Sequence, residues 1–385
     1  MARPSLREMI DRLVGIPSVS ALDPALDMGN RPLLDVLAGW LEDEGFAVEL
    51  VPVPGQASKA NLIATRGQGE GGLVLAGHTD TVPFDEGRWT GDPFRVREHD
   101  GALYGLGIAD MKAFFALAIE AARAFDAARL REPLVIVATA DEETGMHGAR
   151  ALVQAGKPRA RRAIIGEPTG LAPVRMHKGA AMERLEIEGR SGHSSDPRYG
   201  VSALDAMHEA MREIYALRDE LARTRRHDAL EPPHPTLNLG RIAGGDAANR
   251  ICARCELDYD VRVLPGMDVA DVRSAIRERV ARALSGRGVS IAHRSLTPSV
   301  PPFETPAGAP IVRALEELSG RPSCGVAFGT EAPFLTELGM ETVVLGPGDI
   351  AVAHQPDEHL PLARIEPMLA ILRGAIERFC VRGEA

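Results

Sequence analysis

The chain has 385 residues, more than one hydrophobic core usually organises, so two domains or one domain with a large insertion is the starting expectation. Hydrophobic residues make up 45% and charged residues 25%, with 39 Gly and 28 Pro, which is a soluble globular composition with many turns and argues against disorder. A formal net charge of −10 leaves no general cationic surface for phosphate backbones and argues against nucleic acid as a partner.

The opening "MARPSLREMIDRLVGIPSVS" alternates charged and apolar residues in a helix-like way and lacks the uninterrupted apolar core of a signal peptide. No later stretch is long and apolar enough for a membrane span, so no membrane partner and a cytoplasmic location are expected. The four cysteines, Cys252, Cys255, Cys324 and Cys380, are too sparse for a disulfide framework and are expected to be reduced.

From Asn30 to about Glu44, Leu33, Leu34, Leu37, Trp40 and Leu41 recur at helical spacing, with Gly45 as a stop signal. "FAVELVPV", "ANLIATR" and "GLVLAGH" then read as strands, "ADMKAFFALAIEAARAF" as a helix, "PLVIVATA" as a buried strand, "GARALVQAG" as a helix and "RAIIGE" as another buried strand. Such alternation predicts an α/β fold with a mixed or parallel sheet covered on both faces, in which ligands gather beyond the carboxyl ends of the strands.

Near His177 the pattern changes. "AMERLEIEGRSG" reads as a half-exposed strand, followed by a helix from Val201 to about Arg225, strands in "TLNLGRIAGG" and "CARCELDYDVRVLP", a helix from Asp268 to about Leu284 and a strand in "GVSIAHRSL". This strand-helix-strand-strand-helix-strand order predicts a ferredoxin-like α+β domain. After the Pro-rich "TPSVPPFETPAGAP", helix and strand alternate again through "IVRALEELSG", "ETVVLGPG" and a helix beginning near Ala363. The simplest organisation is one domain made of residues 1–176 and 295–385, interrupted by an inserted domain over 177–294.

Five sites carrying acidic or imidazole groups fall at strand ends or in the turns just after them: His78 with Asp80, Asp110, Glu142 with Glu143, Glu167, and His354. Taken singly each has an ordinary structural reading; Asp110 alone would serve as a helix N-cap, and Glu167 before Pro168 as a turn residue. Taken together, carboxylates and imidazoles converging on one crevice would repel and desolvate one another unless cations intervened. Two His and three carboxylates without Cys suit borderline divalent metals, zinc first, with cobalt or manganese also compatible. If one carboxylate bridges two ions roughly 3.5 Å apart, a water ionises near neutral pH and a carbonyl is polarised, which is amide or ester hydrolysis.

Adjacent residues at a strand end point in divergent directions, so Glu143 is assigned to a metal, Glu142 to the base that removes a proton from water, and Asp141 to the turn. Asp80 is expected to hydrogen-bond the His78 imidazole N–H and fix its tautomer.

"GHTDTVP", "GLGIADMKA", "ADEETGMHGAR", "IIGEPT", "SGHSSDP", "GGDAANRICARCELDYDVRVLPGM", "GTEAPF" and "AHQPDEHL" resemble, in this order and over nearly the whole chain, the dinuclear zinc deacylases and exopeptidases. That family includes aminoacylase, succinyl-diaminopimelate desuccinylase and a glutamate carboxypeptidase, and the likeness is greatest to its acetylornithine branch. The resemblance implies a mixed-sheet catalytic domain with an inserted dimerisation domain, two divalent ions (zinc, or cobalt), a small-molecule N-acyl amino acid substrate and a homodimer. It implies that His78 and Glu167 hold one metal, Glu143 and His354 the other, and that Asp110 bridges them. It also implies a cis peptide after Asp110, and Glu142 as general acid/base. His193 is implied to reach the oxyanion from the neighbouring subunit, a donor worth a few kcal/mol in the transition state. Asn249 and Arg250 are implied to grip the substrate carboxylate, a task that suits a forked guanidinium. The implied activity is deacetylation of N2-acetyl-L-ornithine to acetate and L-ornithine in arginine biosynthesis. The alternatives are another N-acyl substrate, or a non-catalytic metal-holding protein that would have no use for Glu142.

Leu106 and Ala113 depart from the common family pattern, which has Arg and Gly there; Ala113 is read as a small packing adjustment. Glu331 in "GTEAPF" has two readings, facing a substrate ammonium group or capping a helix. Cys252 and Cys255 form a C-x-x-C without partners and read as strand residues, "RARR" at 159–162 as a solvated loop, and "SGHSS" could be simply a polar turn.

Overall fold

Leu73–His78, Leu134–Thr139 and Arg162–Ile165 are buried along their whole length, the burial that parallel strands covered on both faces require. In the computed structural model, which describes residues 3–383, they lie side by side. The sheet runs Ala47–Pro52, Ala60–Arg66, Leu134–Thr139, Leu73–His78, Arg162–Ile165, Glu341–Val344 and on to Val174–His177. Its first two pairings are antiparallel, with Ala47 opposite Thr65 and Leu62 opposite Ala138. Its middle is parallel: Leu73 sits opposite both Leu134 and Arg162, and Glu341 opposite Arg162. Val174 closes against Val344 in the antiparallel sense, so the sheet is mixed.

Apart from Met176 and His177, these strands belong to the first of two compact units, made of the chain up to Arg175, Thr305–Cys324, and the chain from Thr330 onward. Its central helix, Ala113–Ala122, is buried at every residue but Glu120, as expected of a core helix whose sequence is apolar all round. The helix is shorter than the sequence pattern suggested. Asp110 (φ −128°, ψ 85°) and Met111 (φ −143°, ψ 28°) are not helical, and a cis peptide joins them, so regular helix begins only at Ala113. Asp110 is therefore not its N-cap; Lys112 occupies that position, with no side-chain cap bond. A small sheet of Arg97–His99, Ala102–Tyr104 and His359–Pro361 had no signature in the sequence, because its strands are only three residues long.

The second unit comprises Met176–Glu304 and Gly325–Gly329. Its strands Gly179–Glu188, Thr236–Gly244, Arg254–Val263 and Ser290–Ser295 are ordered second, third, first, fourth in the sheet, which is ferredoxin-like connectivity. Helices Ala203–Thr224 and Val269–Ala283 cover one face of it, packing Met207, Ala210, Ile214, Ile276 and Val280 against Leu185, Ile187, Leu257 and Val261. Cys255 is a core residue of the strand Arg254–Val263 and Cys252 lies just before it; both are free thiols.

Candidate metal centre

Four neighbouring parallel strands finish on the same edge of the first unit, and each delivers site residues from its carboxyl end. Leu73–His78 ends in His78 itself; Leu134–Thr139 runs into Asp141, Glu142 and Glu143; Arg162–Ile165 leads to Glu167; Glu341–Val344 leads through a Gly-rich turn toward His354. Parallel strands bring residues far apart in sequence to one edge because all their C-termini face the same way. The approach is close. A Cβ on Gly346 would meet the main-chain oxygens of Gly166 and Glu167 at 2.1 and 2.4 Å, so only glycine lets these two strand ends lie together.

His78 is almost completely buried, and its Nδ1 lies 3.0 Å from the main-chain oxygen of Asp80. A carbonyl can only accept, so Nδ1 donates to it and Nε2 points the other way. It meets Asp110 Oδ1 at 3.0 Å and Glu167 Oε1 at 3.8 Å. On the far side of Asp110, His354 Nε2 lies 3.4 Å from Oδ2 and 3.0 Å from Glu143 Oε1. The two oxygens of one carboxylate thus face two imidazoles. Possible ligand atoms of His78, Asp110 and Glu167 lie within 4.8 Å of one another, as do those of Asp110, Glu143 and His354, and also those of His78, Glu142 and Glu143. All five expected ligands and Glu142 are therefore brought together.

These groups fit a pair of divalent cations. An imidazole nitrogen held toward carboxylate oxygens needs a proton or a metal ion between them, and Glu167 Oε1 is buried without a hydrogen-bond partner among the described residues. The charges lead to the same conclusion. Burial, then the neighbouring carboxylates, push Glu142 and Glu167 well above the usual carboxylate range, and burial also raises Glu143. The His78 and His354 hydrogen bonds outweigh burial at Asp110 and hold it low, while the Asp110 and Glu143 hydrogen bonds raise His354 to about 10. The donor set is imidazole and carboxylate without thiolate, which suits zinc, cobalt or manganese. His354 is the open side of the cluster, its side chain 50% exposed against 7% for Asp110, Glu143 and Glu167.

The expected contact of the Asp80 carboxylate with the His78 imidazole is longer than a hydrogen bond, Oδ1 lying 3.6 Å from Nδ1. The carboxylate instead accepts the main-chain N–H groups of Glu142 at 3.3 Å and Glu143 at 3.2 Å. Asp80 therefore fixes the turn that carries the two glutamates, and its carbonyl sets the His78 tautomer.

Asp141 has φ +64° and turns inward. Its carboxylate accepts from Lys59 Nζ at 2.6 Å and Thr144 Oγ1 at 2.8 Å and sits against His147 Nδ1. Lys59, itself buried, also donates to Asp27 at 2.7 Å and Ser20 at 3.1 Å. Nothing in the sequence singled out Lys59, since its partner lies more than eighty residues away and a lone Lys carries no pattern.

Glu331 is buried and occupies the N-cap position of the helix Ala332–Glu337, but its side chain makes no capping bond. Its Oε2 is 2.7 Å from Thr139 Oγ1, Oε1 has no partner among the described residues, and burial raises the group to about 7. The side-chain acceptor at this helix start comes from Thr330, whose Oγ1 accepts from Ala332 N at 3.1 Å.

His193, Asn249 and Arg250 belong to the second unit, where they are neighbours. His193 and Arg250 form an isolated bridge, and Ser194 N donates to Asn249 O at 3.1 Å. His193 Nδ1 accepts from Ser195 N at 3.1 Å, which leaves its proton on Nε2, exposed and available to donate. The guanidinium of Arg250 is paired with Asp246 at 2.6 Å on the surface. Leu106 and Ala113 are both buried, so these family departures are packing positions.

Against known proteins, the model of Peptidase family M20/M25/M40 matches residues 74–378. An acetylornithine deacetylase from Pasteurella multocida (strain Pm70) is 48% identical over 377 residues, covering 98% of this chain and 98% of that protein. Among solved structures, an M20 family metallo-carboxypeptidase from Sulfolobus solfataricus superposes with a TM-score of 0.77 at 16% identity, covering 97% of this chain and 99% of that one. Aminopeptidase PepT from Bacillus cereus ATCC 10987 superposes with a TM-score of 0.76 at 21% identity, covering 97% of each. At such identities these structures speak for the fold.

Proposed function

We propose that this chain, which belongs to peptidase family M20/M25/M40, hydrolyses the amide of N2-acetyl-L-ornithine to acetate and L-ornithine, a step of arginine biosynthesis. Family membership makes it a metal-dependent hydrolase. The observation that carries the catalytic reading is the single Asp110 carboxylate facing two imidazoles, with Glu142 beside them. The substrate follows from the near full-length likeness to the Pasteurella deacetylase.

In this reading His78 and Glu167 hold one divalent ion, Glu143 and His354 the other, and Asp110 both; zinc is favoured and cobalt is the alternative. Bound there, the ions supply Lewis acidity, polarising the acetyl carbonyl and acidifying water. Glu142 removes the proton of the attacking water and delivers it to the leaving amine. Burial, then the neighbouring carboxylates, raises its affinity for a proton, and a carboxyl group can both take and give one. Asp80 holds the main chain of the Glu142–Glu143 turn, so the base and its metal-binding neighbour keep their separate directions. His193, supplied by the second subunit of a homodimer, donates its Nε2–H to the carbonyl oxygen as charge develops. Asn249 and Arg250 take the substrate carboxylate, which would replace Asp246 as the partner of the guanidinium. A cytoplasmic setting belongs to the same proposal, supported by four free cysteines. Among the described residues no helix is long and apolar enough to cross a membrane.

The test is turnover of N2-acetyl-L-ornithine beside succinyl-diaminopimelate, a dipeptide and other acetylated amino acids. It is repeated after chelation and after restoring zinc or cobalt. Acetylornithine should be the best substrate, activity should vanish on chelation, and either ion should restore it. Preference for another member overturns the substrate, and full activity after exhaustive chelation overturns the metal reading.

A further inference from the structure

Four residues after His354, the chain places a carboxylate that the reaction above does not use. Glu358 is buried, and its two oxygens accept three main-chain N–H groups of a single loop: Gly107 at 2.9 Å, Ala109 at 2.7 Å and Asp110 at 3.0 Å. Gly107, at φ +74°, lets that loop turn its amides toward one point. The main chain of Glu358 is tied to the same neighbourhood, its carbonyl accepting from Gly105 N at 3.0 Å and its N–H donating to Gln355 O at 3.3 Å. One side chain therefore joins the loop that carries Asp110 to the loop that carries His354.

We infer that Glu358 is a positioning residue that sets the distance between Asp110 and His354, and so the affinity of the second of the two metal positions. The inference rests on the two-metal reading proposed above. Asp110 contributes to both positions, whereas His354 contributes to only one. Releasing the two loops from each other therefore disturbs the Asp110–Glu143–His354 group more than the His78–Asp110–Glu167 group. A carboxylate is required rather than an amide. Three N–H donors need two accepting oxygens, and the NH₂ of a glutamine would confront one of them, donor against donor. Groups that orient metal ligands in this indirect way typically cost about 10- to 100-fold in metal affinity when removed.

The experiment strips the full-length protein of metal and titrates it with Co²⁺. Visible absorption and equilibrium dialysis are followed for the wild type, Glu358→Gln and Glu358→Ala, with thermal unfolding recorded for each. The wild type should take up two ions. Both variants should keep one ion close to wild-type affinity and bind the other about 10- to 100-fold more weakly, alanine more so than glutamine, with an altered absorption band. If Glu358→Ala does not fold, the glutamine variant decides. A folded Glu358→Gln that binds both ions as tightly as the wild type, whatever its melting temperature, overturns the inference and leaves the metal reading standing. Equal weakening of both ions also overturns it. A wild type that takes up no ion removes the two-metal reading and this inference with it.

Discussion

Glu142 and Glu143 are adjacent, both amides are held by Asp80, and their carboxylates still have different surroundings: Glu143 meets His354 at 3.0 Å, while Glu142 has no such imidazole partner among the described residues and sits near His78. The proposed division of labour between ligand and base is thus a matter of direction, and one buried aspartate holds the turn that sets it. Glu142→Gln keeps the shape and removes the ability to take a proton. Turnover should fall by about 10²- to 10⁴-fold, while bound metal, measured by elemental analysis, stays near the wild-type amount. A variant that kept its turnover would show that another group moves the proton. His78 makes the same point about direction: the Asp80 carbonyl, more than its carboxylate, decides which nitrogen faces the centre.

At the scale of elements, the turn after Leu134–Thr139 depends on a charge pair buried beneath it. Lys59 begins from the neighbourhood of a different strand, Ala60–Arg66, and reaches Asp141, whose carboxylate is also held by Thr144 and His147. Burial alone would raise Asp141, but these hydrogen bonds, led by that of Lys59, outweigh it and keep the group below the usual carboxylate range. Lys59→Met leaves Asp141 and Asp27 without their cation, and removing one partner of a buried pair costs about 3–5 kcal/mol. A loss of that size in denaturant unfolding is expected; a loss below about 1 kcal/mol, the range of exposed pairs, would mean that water screens the site. The Glu142–Glu143 turn should loosen as well, so part of the lost activity should persist at temperatures where the variant is fully folded.

For the whole molecule, the proposed mechanism draws Glu142 from one subunit and His193 from another. Glu142→Gln and His193→Ala should each be nearly inactive as homodimers. Co-expressed, they should form mixed dimers in which one site has an intact base from the His193→Ala subunit and an intact imidazole from its partner. Activity should return in the mixed dimer purified through two different tags. Its continued absence would remove the shared site, and a monomer by sedimentation would remove the dimer itself.

Motifs at strand ends, buried runs of Val, Ile and Leu, and the alternating pattern after His177 are local signals, and they carried a long way. They marked the α/β fold, the ferredoxin-like segment and the residues His78, Asp110, Glu142, Glu143, Glu167 and His354, because a strand end with its turn is legible in a few consecutive letters. What the chain did not disclose depends on contacts between distant segments. Helix Ala113–Ala122 starts late because the Asp110–Met111 backbone leaves helical geometry, and the amides of the loop before it are taken by Glu358, some 250 positions away. Lys59, the buried setting of Glu331 and the actual work of the Asp80 carboxylate were hidden for the same reason. The sequence alone determined which chemical groups gather and at which ends of which elements. Only the tertiary structure decided which oxygen faces which nitrogen, because hydrogen-bond direction and burial arise where segments meet and leave no period in the letters.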